Sequence, residues 1–272
     1  MLKTRVVTAL VLLAVLVLLL MSGSLPAVAV ATGIFFAAAA WEALRLFQSR
    51  NPAVIAAVWT VAFGLIVVQQ TYLHARLLML LCVLAWFFRL APSLKFGLPP
   101  LGGLGNKLIS GIYGVAILGC FAAILALFTH SPLYLFSVMA IVWIADIGAY
   151  FSGKAFGRHK LASSISPGKS WEGAIGGWFA VLLIAVISTR IPALEDTFSA
   201  QLLANRGPVA LAVALSLLVV ASVCGDLFES QLKLRAGVKD SSALLPGHGG
   251  VLDRIDALIP AMPLALLIDL WH

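Results

Sequence analysis

The sequence predicts an all-α polytopic integral membrane protein, on three observations. Of its 272 residues, 62% are hydrophobic and only 11% are charged, against about 25% charged in a soluble domain. The mean hydropathy is +1.06. Several apolar runs approach the roughly 20 residues that a spanning helix needs, and they lack the alternating polarity of short barrel strands.

In chain order the runs place spans near residues 6–22, 25–44, 53–71, 76–92, 108–129, 133–152, 173–190, 208–225 and 257–271, about nine transmembrane helices. The first follows Lys3 and Arg5, and Ala27-Val28-Ala29 behind it resembles a cleavage site. A secretory signal would lead into a secreted domain. Here further apolar runs follow, so the segment reads as an uncleaved first helix. The first five spans make an N-terminal membrane region, residues 1–130. The last four belong to a C-terminal region, 131–272, which holds the polar stretches 153–172 and 226–256. No soluble domain, low-complexity tail or internal repeat shows.

Charge sets the expected orientation. With the N-terminus in the cytoplasm, only Arg76, Arg190 and Arg206 of the 18 Lys and Arg residues fall outside. That asymmetry is what the positive-inside rule demands. Loop 92–107 and both polar stretches then share the cytoplasmic face, where soluble nucleotides and magnesium are available. The outer loops (72–75, 130–132, 191–207 and the one near 23) carry little chemistry. The net charge of +7 is explained by this loop bias and by anionic headgroups, not by nucleic acid. Cys82, Cys120 and Cys224 lie in or beside apolar runs without CxxC spacing, so they read as small buried hydrophobes and not as zinc ligands.

Chemistry concentrates in residues 226–256. If the eighth helix runs on to Lys233, then Asp226, Ser230 and Lys233 share one face, with Glu229 beside it. A carboxylate, a hydroxyl and an ammonium there suit a metal-bound phosphate; a solvated helix end would show the same residues. Pro246-Gly247-His248-Gly249-Gly250 cannot be regular helix, and its N–H groups can form an anion nest. His248 can donate to a phosphate oxygen or simply bond the loop. Asp253 and Asp256 stand three apart around Arg254, on one face of a helix entering the membrane. Paired carboxylates there repel unless a cation sits between them, and magnesium prefers such hard oxygen ligands together with phosphates.

A second cluster surrounds Asp146, an ionisable residue inside the cytoplasmic end of a span and therefore a functional candidate. Lys154, Arg158, Lys160 and the run Ser166-Pro167-Gly168-Lys169-Ser170-Trp171-Glu172-Gly173 follow. Gly168-Lys169-Ser170 is not a P-loop, because the required first glycine is missing and no strand is expected before it. Ser166 and Ser170 are expected to cap the next helix, whose N-terminus favours phosphate. The basic residues suit the nucleotide, the lipid phosphate or anionic headgroups alike.

These residues resemble a known family. Ser230-x-Leu232-Lys233, Lys239-Asp240, Pro246–Gly250 and Asp253-Arg254-Ile255-Asp256 are similar to the signature of the phosphatidate cytidylyltransferases, and so are Asp146–Leu161 and Ser166–Gly173. The likeness covers the second half of the chain by motif and the first by hydropathy only. It implies transfer of CMP from CTP to phosphatidic acid, giving CDP-diacylglycerol and pyrophosphate. It also implies magnesium on Asp226, Asp253 and Asp256, with Asp146 as a further ligand or orienter. Lys169, Lys233, Lys239 and Arg254 would neutralise phosphates, and Lys154, Glu172, Ser230, Arg235, His248, Gly249 and Gly250 would contact substrate. Two metal ions, a monovalent cation and a homodimer are compatible with it, and a bacterial inner membrane is the expected location. The family usually has Lys-Arg where this chain has Lys233-Leu234, and Arg235 stands one position on as a compensating cation.

Three other readings compete. An ion-coupled transporter would place repeated charges at the midplane, whereas these gather at one rim. A non-catalytic descendant of the enzyme has only Leu234 in its favour. A CDP-alcohol phosphotransferase would need a DGxxAR motif, which is absent.

Overall fold

The computed structural model describes residues 2–270, without the side chains of residues 2–5 and Leu73. The end of the ninth expected span at 271 and the side chains of Lys3 and Arg5 lie outside the described residues. Nearly all the rest is helix. In order come α1 (Leu2–Ser22), α2 (Leu25–Leu46), α3 (Pro52–Val68) and α4 (Arg76–Ala85). A π turn, Trp86–Leu90, joins α4 to α5 (Ala91–Phe96). Then follow α6 (Leu104–His130), α7 (Pro132–Phe156), β1 (Lys160–Ala162), β2 (Ser166–Ser170), α8 (Trp171–Ser188), α9 (Phe198–Ala236), α10 (Leu252–Ile255) and α11 (Leu258–Asp269).

Eight of the nine expected spans fall mainly on a single helix, and 76–92 runs over α4, the π turn and the start of α5. Six helical stretches have the length and apolarity to cross a membrane: α2, Arg76–Phe96, α6, α7, α8 and α9. Val6–Ser22, Pro52–Val68 and Leu258–Asp269 are shorter apolar helices. Start signals are local. Ser131 and Ser170 accept from the N–H groups of Tyr134 at 3.0 Å and Gly173 at 3.2 Å, supplying partners that a first helical turn lacks. Proline near the start of α2, α3 and α7 gives up no bond there.

The structure departs from the sequence reading in three places. Residues 160–170 form an antiparallel hairpin where only loop was expected, and Ser166 pairs with Ala162 instead of capping α8. Helix α9 continues past the expected end at 225 to Ala236, where Gly237 (φ 70°) closes it in the left-handed region. It also begins inside the expected outer loop 191–207 and kinks at Gly207-Pro208, since proline lacks an N–H and crowds the preceding turn.

The core forms around α11. This helix is buried from Leu258 to Leu267 except Leu264, and it packs against α4, α6, α7 and α9. A helix apolar on every side belongs inside a bundle, and its central place puts Asp256 at its entry. Phe36 stacks on Phe63 at 4.8 Å within the first half of the chain, and rings tie that half to the second where Tyr113 and Trp86 lie 4.9 and 5.6 Å from Phe228. Outward faces of α1, α3, α4 and α8 expose large apolar side chains such as Leu18, Val58, Leu77 and Phe179, as lipid-facing helices do.

Glycines bring the site helices together. α7 and α8 form the most extensive pair of the fold. A methyl on Gly177 would strike the carbonyl oxygen of Ala145, and one on Gly173 would lie 2.8 Å from that of Ala149. Close backbone approach through small residues is the usual basis of helix association in membranes. Gly225 does the same for α9, since a methyl there would meet the carbonyl of Asp256 and the ring of Pro260. Replacing Gly177 by valine should therefore destabilise the detergent-solubilised protein by about 1–3 kcal/mol, read from thermal unfolding. Gly111, with open space around it, should accept alanine without loss.

Candidate active site

The polar residues of α7, the hairpin, α9 and α10 converge on one cleft of about 600 Å³. Asp146 and Lys154 come from α7, and Lys169 from β2. Asp226 and Lys233 come from α9, and Asp240 from the loop after it. Asp253 and Arg254 come from α10, and Asp256 from the turn into α11. All four carboxylates singled out in the sequence, Asp146, Asp226, Asp253 and Asp256, line this one cavity.

Lysines hold two of those carboxylates. Lys169 Nζ is ion-paired with Asp226 Oδ2, and the Ser230 hydroxyl adds a bond to Asp226 Oδ1 at 3.3 Å. Lys233 Nζ lies 2.5 Å from Glu229 Oε2 and 2.7 Å from Asp253 Oδ1. Glu229 is fully buried, so Lys233 is a brace between α9 and α10, with its charge committed to protein. The other oxygen of Asp253 accepts from Gly250 N at 2.7 Å and from Ser241 N and Oγ, each at 2.9 Å. Burial works against that carboxylate, but Lys233 and the N–H groups of Gly250 and Ser241 outweigh it and hold the carboxyl down at about 2. Asp256 is the opposite case. Burial and the Asp226 carboxylate push it above the ordinary carboxylate range, although its Oδ1 accepts from Ala257 N at 2.7 Å.

The first half of the chain also enters, which the sequence reading missed. Glu42 on α2 is fully buried. Its oxygens accept from Val251 N at 3.1 Å, Leu252 N at 2.6 Å, Ser241 Oγ at 3.1 Å and the Ser242 hydroxyl. The signal was available: Glu42 is the first acidic residue in the chain and stands alone in an apolar run.

Other expected contacts fall elsewhere. Glu172 turns away from the cleft and bonds the His159 ring at 2.6 Å and the N–H groups of Arg158 and His159. Arg235 does not replace a cation at 234. Its Nη1 donates to Pro99 O at 2.9 Å, and its guanidinium lies 5.1 Å from the Phe47 ring centroid. Leu234 itself is exposed. The Gly-rich turn is not an open nest either, because His248 N donates to Leu245 O and Gly250 N to Asp253. Lys239, His248, Gly249 and Arg254 instead line an adjoining polar cavity of about 530 Å³, which shares Asp240 and Arg254 with the cleft.

A third cavity, of about 870 Å³, runs between the hairpin, α8 and α9. It is mostly apolar, with Trp171, Trp178, Val220 and Leu227 in its walls and Lys95 and Lys160 beside them. It shares Leu161, Ala174, Val219 and Val223 with the cleft, so the two adjoin along a common wall.

Fold and site define a class: a helical protein with membrane-crossing segments and a cleft of carboxylates and cations beside an apolar groove. Comparison narrows it. The sequence model of the Cytidylyltransferase family matches residues 3–270. A phosphatidate cytidylyltransferase of Haemophilus influenzae is 37% identical over 285 residues, covering 97% of this chain and 96% of the relative. One from Pseudomonas aeruginosa is 39% identical over 280 residues, covering 100% of this chain and 97% of the relative. One from Thermotoga maritima is 39% identical over 133 residues, 48% of this chain and 47% of the relative. The chain belongs to the cytidylyltransferase family, and the likeness extends over the first half as well as the second.

Replacing Lys233 by methionine would strand Glu229 and Asp253. Breaking a buried ion pair by removing one partner costs about 3–5 kcal/mol. Chemical unfolding in detergent should show a loss of that order, while Leu234→Ala, on the neighbouring exposed position, should change little.

Proposed function

We propose that this chain transfers CMP from CTP to phosphatidic acid, releasing pyrophosphate and leaving CDP-diacylglycerol in the membrane. The observation that carries the reading is a carboxylate- and cation-lined cleft lying directly beside an apolar groove, with four lining residues in common. A lipid phosphate needs both at once: charge around the headgroup and cover for the chains. Family membership and the two near-full-length relatives bearing that name support the same activity.

The chemistry follows from the charges. A phosphate oxygen of the lipid attacks the α-phosphorus of CTP, the bond to the β,γ-pyrophosphate breaks, and no protein nucleophile is needed. Both reactants are anions, so repulsion and alignment make up much of the barrier. Lys154, Lys169 and Arg254 line the cleft and can offset the phosphate charge. Lys239 and His248 in the adjoining cavity suit the leaving pyrophosphate. Acyl chains would occupy the groove beside Trp171 and Trp178.

Magnesium fits the donor set. Among the described residues no three ligating side chains stand ready-gathered around a point. The geometry nonetheless invites a cation, because Asp226, Asp253 and Asp256 line one cleft and burial beside the Asp226 carboxylate raises Asp256 above its ordinary value. Asp226, Asp253 and Asp256 would hold the ion, with Asp146 beside them. Bound there, it would neutralise phosphate oxygens as charge develops. For Asp226 to join, Lys169 must leave it, and an incoming phosphate is the natural acceptor for that ammonium. The nine-span arrangement, with this face in the cytoplasm of a bacterial inner membrane, is part of the proposal and rests on the distribution of Lys and Arg.

Purified protein in detergent, given labelled CTP, phosphatidic acid and magnesium, should make a labelled lipid and pyrophosphate, and EDTA should abolish both. Asp253→Asn and Asp256→Asn should each cost about 2.7–4 kcal/mol in kcat/KM, the usual loss for one preorganised electrostatic contact. Full activity in both variants would remove the carboxylates from the mechanism.

A further inference from the structure

We propose that Glu42 is a positioning residue for this reaction, its carboxylate setting the place of Asp253 through Ser241. The proposal rests on the catalytic reading above and adds to it a residue from the far end of the chain.

Glu42 is fully buried, and protein donors fill it. Oε1 takes the Ser242 hydroxyl and Val251 N at 3.1 Å, and Oε2 takes Leu252 N at 2.6 Å and Ser241 Oγ at 3.1 Å. A carboxylate offers about four acceptor sites, so none is left for substrate, and Glu42 does not line the cleft. All four donors come from one segment, residues 241–252, and that segment delivers α10 with Asp253.

Ser241 is the link. Its hydroxyl lies 3.1 Å from Glu42 Oε2 and 2.9 Å from Asp253 Oδ2. One hydroxyl proton serves both carboxylates, so the position of either constrains the other. Leu252 N, held by Glu42, belongs to the residue just before Asp253 and would otherwise lack a partner at the start of α10. The packing leaves no slack, because a methyl on Gly250 would strike both Ser241 Oγ and the Glu42 carboxylate. Buried donors left without an acceptor would pull this segment toward other partners, and Asp253 would move with it.

The test uses the full-length protein in detergent. Glu42→Gln, Ser241→Ala and the double variant are compared with wild type for turnover, for Mn²⁺ binding by paramagnetic resonance without substrates, and for thermal unfolding. A small misplacement of a reacting group lowers rates by about 10²-fold. Glu42→Gln should show that loss in kcat, with KM for CTP near the wild-type value and weaker Mn²⁺ binding. The double variant should be no worse than Glu42→Gln alone, since both act through one chain of contacts. Wild-type kcat and Mn²⁺ affinity in a folded Glu42→Gln protein, or additive losses in the double variant, would overturn the proposal. If Glu42→Gln does not fold, Ser241→Ala decides, because it cuts the link and leaves both backbone N–H bonds in place; wild-type behaviour there also overturns it. A wild type that makes no lipid product refutes the catalytic reading separately, and the Mn²⁺ comparison then decides whether Glu42 places Asp253. A wild type that neither turns over nor binds Mn²⁺ overturns both.

Discussion

Charge inside an apolar bundle must be met by protein, because water is not there to meet it. Glu42 and Glu229 are fully buried and Asp253 lies at the wall of the cleft, and each is answered differently. Glu42 takes backbone and hydroxyl donors, Glu229 takes an ammonium, and Asp253 takes both. The polar end of the molecule is built from those answers. Lys233 binds α9 to α10, Glu42 binds α2 to the loop between them, and Lys169 binds the hairpin to α9. Remove the requirement that each carboxylate be satisfied and the 237–251 segment has little else to hold it, since it contains no helix and only an isolated bridge between Leu245 and Gly249.

The same arrangement separates two kinds of cation. Lys233 is enclosed by protein carboxylates and serves the scaffold. Lys154 and Arg254 face the cleft with no ion-pair partner recorded among the described residues. Lys169 stands between these cases, lining the cleft while paired to Asp226. A site for two anions benefits from such a gradient: fixed charges preorganise the wall, and exchangeable ones respond to what enters.

Much of this was legible in the sequence, for a physical reason. Asp226, Lys233, Asp253 and Asp256 lie within one contiguous polar stretch, so their clustering is visible without knowing the fold. Helical periodicity then gave the Asp226–Ser230 contact correctly. Arg235 was misplaced because one residue along a helix turns the side chain by about 100°, which carries it from the position of Leu234 to Phe47 and Pro99. Glu172 turns toward the N–H groups of residues 158 and 159, a contact no local pattern encodes, and a hairpin of a three-residue and a five-residue strand gives no periodic signal. Glu42 was missed because its partners lie 199 to 210 residues away, a pairing that no local pattern encodes.

That separation has a consequence for how the molecule is made. Glu42 leaves the ribosome some two hundred residues before the groups that will enclose it. Through most of synthesis α2 must keep an acidic side chain with its final partners not yet in existence. Contacts so distant in sequence form late, after the entropy of closing the intervening chain has been met. The segment that encloses Glu42 is made late and carries Asp253 with it, so a chain that stops before residue 241 holds a buried carboxylate without its donors and a cleft without two of its carboxylates.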